Sequence, residues 1–114
     1  MAFTPYHNIV GSTAQDNELV AINDIPKKRI ESLQITNIHA SAVATVDLYL
    51  FKDSTDTAKS ETYYILNQVL IPSGTSLLLD GDILSFDNST QTGYSMHINV
   101  GSSDTVDVLI KKLR

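Results

Sequence analysis

Three histidines, His7, His39 and His97, and 13 acidic residues are the side chains in this sequence best equipped for metal or acid–base chemistry. The histidines lie far apart in the chain, and none has a second histidine at ligand spacing. Two of them could converge on a metal, or one from each subunit could do so around a symmetry axis; isolated histidines on polar strand faces are the simpler reading. Asp80, Asp82 and Asp87 surround Gly81 and carry the oxygen donors that calcium prefers. The twelve-residue EF-hand spacing and its closing glutamate are missing, so Asp80-Gly81-Asp82 reads as a turn. A serine hydrolase would place its nucleophile on a Gly-x-Ser-x-Gly elbow, and no such run occurs. No glycine-rich phosphate loop with its lysine occurs either; Gly11-Ser12-Thr13 is a small-residue turn. Glycoside hydrolysis needs a carboxylate pair, and with 13 acids in the chain no pair stands out. The absence of cysteine removes thiol nucleophiles, thiolate metal sites and disulfides. Asn88-Ser89-Thr90 matches a glycosylation acceptor, a triplet that is common by chance. The expectation is a chain that is not an enzyme, with no catalytic residues, no metal and no cofactor.

The elements that would position these residues repeat with a period of two. Val46, Leu48 and Leu50 alternate with Thr45, Asp47 and Tyr49; Met96, Ile98 and Val100 alternate with Ser95, His97 and Asn99. Val106, Val108 and Ile110 alternate with Thr105, Asp107 and Leu109, and Leu33 and Ile35 flank Gln34. This is the pattern of half-buried strands. Strands are expected at 5–11, 17–23, 28–38, 43–52, 61–71, 75–80, 83–87, 94–100 and 104–112. In ILNQVLIPSGTSLLLDGDILSF, Ile65 to Phe86, the apolar runs are cut by Pro72-Ser73-Gly74 and Asp80-Gly81-Asp82. Both cuts carry turn residues. Residues 61–70 could instead put Tyr63, Leu66 and Leu70 on one helical face. Paired tyrosines, Ile65, Val69 and Pro72 favour a strand there. Many short strands in one small domain point to an all-β fold, an antiparallel β-sandwich of jelly-roll-like form.

At 114 residues there is room for one domain with one core, and an apolar fraction of 42% is that of a globular chain. No apolar run reaches the length of a membrane span, and the first residues lack the pattern of a secretory signal. The net charge of −5 argues against tracking nucleic-acid phosphates. Two basic clusters, Lys27-Lys28-Arg29 and Lys111-Lys112-Arg114, read as solvated strand ends, or as one patch for an acidic partner if the fold joins them.

Apolar residues also fall on the strand faces opposite the core. With Val46, Leu48 and Leu50 inward, Tyr49 and Phe51 point outward; with Val106, Val108 and Ile110 inward, Leu109 and Leu113 do so. Several such residues on neighbouring strands would form a patch, which marks a partner. Near the N-terminus, Phe3, Tyr6 and Ile9 read as an arm that orders on a neighbour. These seven residues are the expected interface.

The runs ITNIHASAVATVDLYLFKD, YYILNQVLIPSGTSLLLD and GDILSF, with the closing DTVDVLIKKL, resemble small structural proteins of tailed bacteriophage particles. The resemblance spans Leu33 to Leu113. It departs from the family at Gly101-Ser102-Ser103-Asp104-Thr105, where a lead rich in small residues would be expected, and in the first thirty residues, which match nothing in it. The resemblance implies a virion component that binds other virion proteins. Capsid decoration comes first among the positions, and a neck, tail or fibre-attachment component second. The chain then divides into an N-terminal strand or arm, 1–27, that adapts to a partner, and a β-sandwich core, 28–114. A homo-oligomer, by preference a trimer, is expected, with no nucleic acid and no membrane as partner. A carbohydrate-binding module stacking sugars on Tyr63, Tyr64 or Tyr94 is the alternative from another class, weakened by the absence of tryptophan.

Overall fold

The computed structural model describes residues 6–11, 17–21, 30–52, 61–81, 83–84, 86, 88, 93–101 and 104–112. Eight strands run β1 (Tyr6–Val10), β2 (Asn17–Val20), β3 (Ile30–Asn37), β4 (Ala44–Lys52), β5 (Glu61–Ile71), β6 (Ser76–Asp80), β7 (Ser95–Val100) and β8 (Thr105–Lys112), with no helix among the described residues. They form two four-stranded sheets, ordered β1-β8-β3-β6 and β2-β7-β4-β5. Every pairing is antiparallel. The expected all-β sandwich is the fold. The pairs β1·β8, β2·β7, β3·β6 and β4·β5 nest within one another, as in a single long hairpin folded over on itself. Only the β4–β5 connection stays within a sheet; every other one passes from one sheet to the other.

Alternation supplies the core. Leu33 and Ile35 of β3, Val106 and Val108 of β8, Val46 and Leu48 of β4, and Met96 and Ile98 of β7 each have 0% exposure. These are the central strands of both sheets, and their inward side chains meet between the layers. Burial of each such side chain contributes roughly 1.5–3 kcal/mol. Ile9, Leu19, Val20, Ile71 and Leu79 extend the same core to the outer strands.

The turns read from sequence close by identifiable bonds. The Thr75 amide donates to Pro72 O at 3.2 Å, and Gly74 sits at φ 67°. A side chain is disfavoured there, so glycine suits this turn. The Ile83 amide donates to Asp80 O at 3.2 Å. A Cβ on Gly81 would lie 2.8 Å from Ile30 O, so this turn passes too close to β3 for any larger residue. Asn37, with 0% exposure, ties three segments together at the opposite end. Its Nδ2 donates to Ala42 O (2.7 Å) and Ile71 O (2.9 Å), and its Oδ1 accepts from the His39 amide (3.0 Å). Asp104 does similar work there, accepting the Gly11 amide on its carbonyl and the Thr45 amide on Oδ2, both at 2.9 Å.

One expected strand is absent among the described residues. Residues 83–87 are not a strand as far as they are described: Ile83 and Leu84 lie in the turn, and Phe86 is irregular. Leu84, 2% exposed, anchors the segment to the core, and that apolar anchor is what resembled a strand. The N-terminal segment supplies β1 to one sheet and β2 to the other, and Ile9, 6% exposed, belongs to the core. Ile9 is thus covered within the single chain. Its partner across the strand pair is Val106, inside the sandwich.

Candidate functional site

The residues singled out for chemistry are dispersed. His7 is on β1, half-buried and opposite Val108. His39 is exposed between β3 and β4, where its Nδ1 accepts the amides of Ser41 and Ala42, each at 3.0 Å. His97 is on β7, in the other sheet from His7. No group of three His, Asp or Glu residues is placed to hold a metal among the described residues. Asp80 ends β6, while Asp82 and Asp87 lie outside the described residues.

The closest approach to a catalytic pair is one that sequence reading did not single out. Ser95 Oγ lies 2.7 Å from His97 Nε2, with the residues 5% and 8% exposed. The same hydroxyl lies 3.2 Å from Phe51 O. A hydroxyl has one proton, so it serves either Phe51 O or Nε2, and the histidine tautomer decides which. Both residues are buried, which leaves the hydroxyl little access to a substrate. The visible work of the pair is to hold the His97 ring against β4.

That ring belongs to a row of side chains on the outer face of the second sheet. Cross-strand register places Glu18, His97, Tyr49 and Tyr64 side by side across β2, β7, β4 and β5. Tyr49 stacks on His97 with centroids 5.5 Å apart and 12° between planes, and meets Tyr64 at 5.4 Å. Phe51 and His97 meet edge to face at 5.8 Å. Tyr49 has the outward strand parity expected of it but is only 8% exposed, and Phe51 is half-buried. The accessible members of the row are Tyr64, 55% exposed, and Glu18 at its other end. Beyond the row, Tyr63 meets Tyr94 edge to face at 5.8 Å, with Lys52 Nζ 5.7 Å from the Tyr94 centroid. Such rings, one carrying a cation on its face, offer a stacking and cation–π surface.

The outer face of the first sheet carries a second row. Register aligns Tyr6, Leu109, Gln34 and Leu78 across β1, β8, β3 and β6. Tyr6 is 71% exposed, Leu78 65% and Leu109 43%. Beside the row, Asn8 Nδ2 donates to Asp107 Oδ1 at 2.8 Å, on the wall of a shallow open depression that His7 also lines. His7 Nε2 is buried without a hydrogen-bond partner among the described residues.

The structure thus brings Tyr6 and Leu109 of the expected interface together, places Tyr49 and Phe51 on the opposite sheet, and puts Ile9 inside. Phe3 and Leu113 lie outside the described residues. Leu78 was missed because Leu77-Leu78-Leu79 is uniformly apolar and gives no parity to read. Of the two basic clusters, Lys27-Lys28-Arg29 lies outside the described residues; Lys112 of the other is opposite Ile30. No protein-family model, no curated protein and no solved structure matches the chain.

Proposed function

We propose that this protein is a non-enzymatic structural component of a tailed phage particle, attached as an oligomer to other virion proteins, with capsid decoration as its position. The observation that carries the reading is apolar material on the outer face of a sandwich whose core is already complete. Tyr6, Leu109 and Leu78 form a row that the fold itself does not need. Such a row is the kind of surface that a subunit contact covers. The nested strand pairing supports a jelly-roll reading, an architecture shared by viral capsid domains and lectins. A neck, tail or fibre-attachment position would use the same faces. The test is to purify particles of the parent phage and count copies of the chain. Decoration expects many copies per particle, a neck or tail position expects few, and absence from the particle removes the reading.

One observation favours a second class. The Tyr63–Tyr94 pair with Lys52 is an aromatic platform at a sheet edge, and lectins share the nested architecture. A glycan-array signal lost on Tyr94→Ala, in a chain absent from particles, would make the protein a carbohydrate-binding module.

A further inference from the structure

We infer that the outer face of the first sheet joins two copies of this chain about a two-fold axis lying along the row Tyr6–Leu109–Gln34–Leu78. This deepens the oligomeric part of the proposed function by naming the partner of one face, and it concerns the free protein, with no particle present. The row crosses all four strands in register, and its apolar members, Tyr6, Leu109 and Leu78, are all exposed. On β8 the row is flanked by Asp107 on one side and Lys111 on the other, each two residues from Leu109 and so on the same face. At about 3.3 Å per residue, each charge lies roughly 6.6 Å from the row.

Those two charges select the axis. Rotation about the row sets Leu109 on Leu109, Leu78 on Leu78 and Tyr6 on Tyr6. It also carries each Asp107 over the partner's Lys111, so one rotation creates two ion pairs. Lys111, whose side chain is 71% exposed, now lies 3.6 Å from Glu31 and would sit between that carboxylate and the partner's Asp107. On β3 Thr36 meets Ser32, and on β6 Ser76 meets Asp80, so no like charges are opposed on these strands. An axis parallel to the strands would set Leu109 on Gln34 and Lys111 on Ser32, and would pair no charges. The apolar and charge patterns choose the same geometry, a self-complementary face.

The size of the face bounds the strength. Four strands about 4.8 Å apart and roughly five residues long cover on the order of 300–400 Å² per copy. That is about half of what a standard interface buries on each partner. The pair is therefore weak and concentration-dependent in solution, and gains strength where copies are already held close together.

Sedimentation equilibrium of the full chain, from micromolar to millimolar concentration, tests this. The expected result is a reversible rise from monomer to dimer mass. Leu109→Asp, and separately Leu78→Asp, should weaken association by about tenfold or more, with circular dichroism confirming that each variant is folded. Asp107→Lys and Lys111→Glu should each weaken it, and the double exchange should restore it, because only the inferred axis sets these two positions against each other. A chain that stays monomeric throughout overturns the inference, as does a double exchange no better than either single one. A dimer whose chain is absent from particles leaves the inference standing and removes the virion reading. A strict monomer found on particles does the reverse.

Discussion

Tyr49 and Tyr64 face each other across a strand pair, and the same side-chain chemistry serves them differently. Tyr49 is 8% exposed, stacked on His97 and touching Tyr64, whereas Tyr64 is 55% exposed. Truncating a large buried ring removes packing on several sides; truncating an exposed one removes little. Tyr49→Ala is therefore expected to destabilise the fold by roughly 2–4 kcal/mol, and Tyr64→Ala by less than about 1 kcal/mol. Urea denaturation of both variants checks this, and equal losses would mean that the aromatic row does not stabilise the sheet through Tyr49. Strand parity made both Tyr49 and Phe51 look like surface residues. His97, which lies beside Tyr49, is 48 positions away in sequence, beyond the reach of any local pattern.

Among the elements, β5 and β1 depart most from plain strand behaviour. Between Val46↔Val69 and Leu48↔Leu66, β4 spends one residue and β5 spends two, and Ile65 is a second extra residue before Tyr49↔Tyr64. The first bulge holds Gln68 at φ 54°, a conformation costly for a residue with a side chain, while its amide donates to Asp47 Oδ1 at 2.6 Å. Bulges twist an edge strand away from further pairing, and β5 is the long edge of its sheet. Gln68→Gly relieves the backbone but frees the unfolded chain, and the balance is an expected gain of about 0.5–1 kcal/mol. A measured loss would show that the Gln68 side chain carries more than the backbone strain costs. β1 is tested through Ile9, whose truncation to Ala should cost roughly 2–4 kcal/mol. An arm that ordered only on a partner would show no such loss in the isolated protein.

At the scale of the molecule, the sandwich is held by inward residues drawn from both sheets, so a cavity anywhere in the layer weakens the whole. Leu48→Ala in one sheet and Val108→Ala in the other are each expected to cost roughly 2–4 kcal/mol. Far-UV circular dichroism of both variants should stay β-type below the transition. Near-neutral effects at both positions would mean that the inward faces are wrongly assigned. The first and last strands are hydrogen-bonded neighbours, so folding must close nearly the full length of the chain. Such non-local pairing is slow, with refolding expected between roughly milliseconds and seconds.

Alternation made the strands legible, because the pleat turns successive side chains to opposite faces whatever lies beside them. Glycine, proline and aspartate marked the turns at Pro72-Ser73-Gly74 and Asp80-Gly81 for equally local reasons, φ preference and close backbone approach. From those two signals the all-β class and most of the core could be read, Leu33, Val46, Leu48, Val106 and Val108 among it. Neighbourhood could not. Leu77-Leu78-Leu79 became inward, outward, inward only when β6 paired with β3, and Ile9 became core only when β1 paired with β8. The rows on the two outer faces each take one residue from every strand of a sheet, from positions as distant as 6 and 109. Register between such distant segments is set by how both faces of the sandwich pack at once. That packing turned scattered outward residues into one apolar row flanked by opposite charges, and it drew Tyr49 and His97 out of reach of solvent.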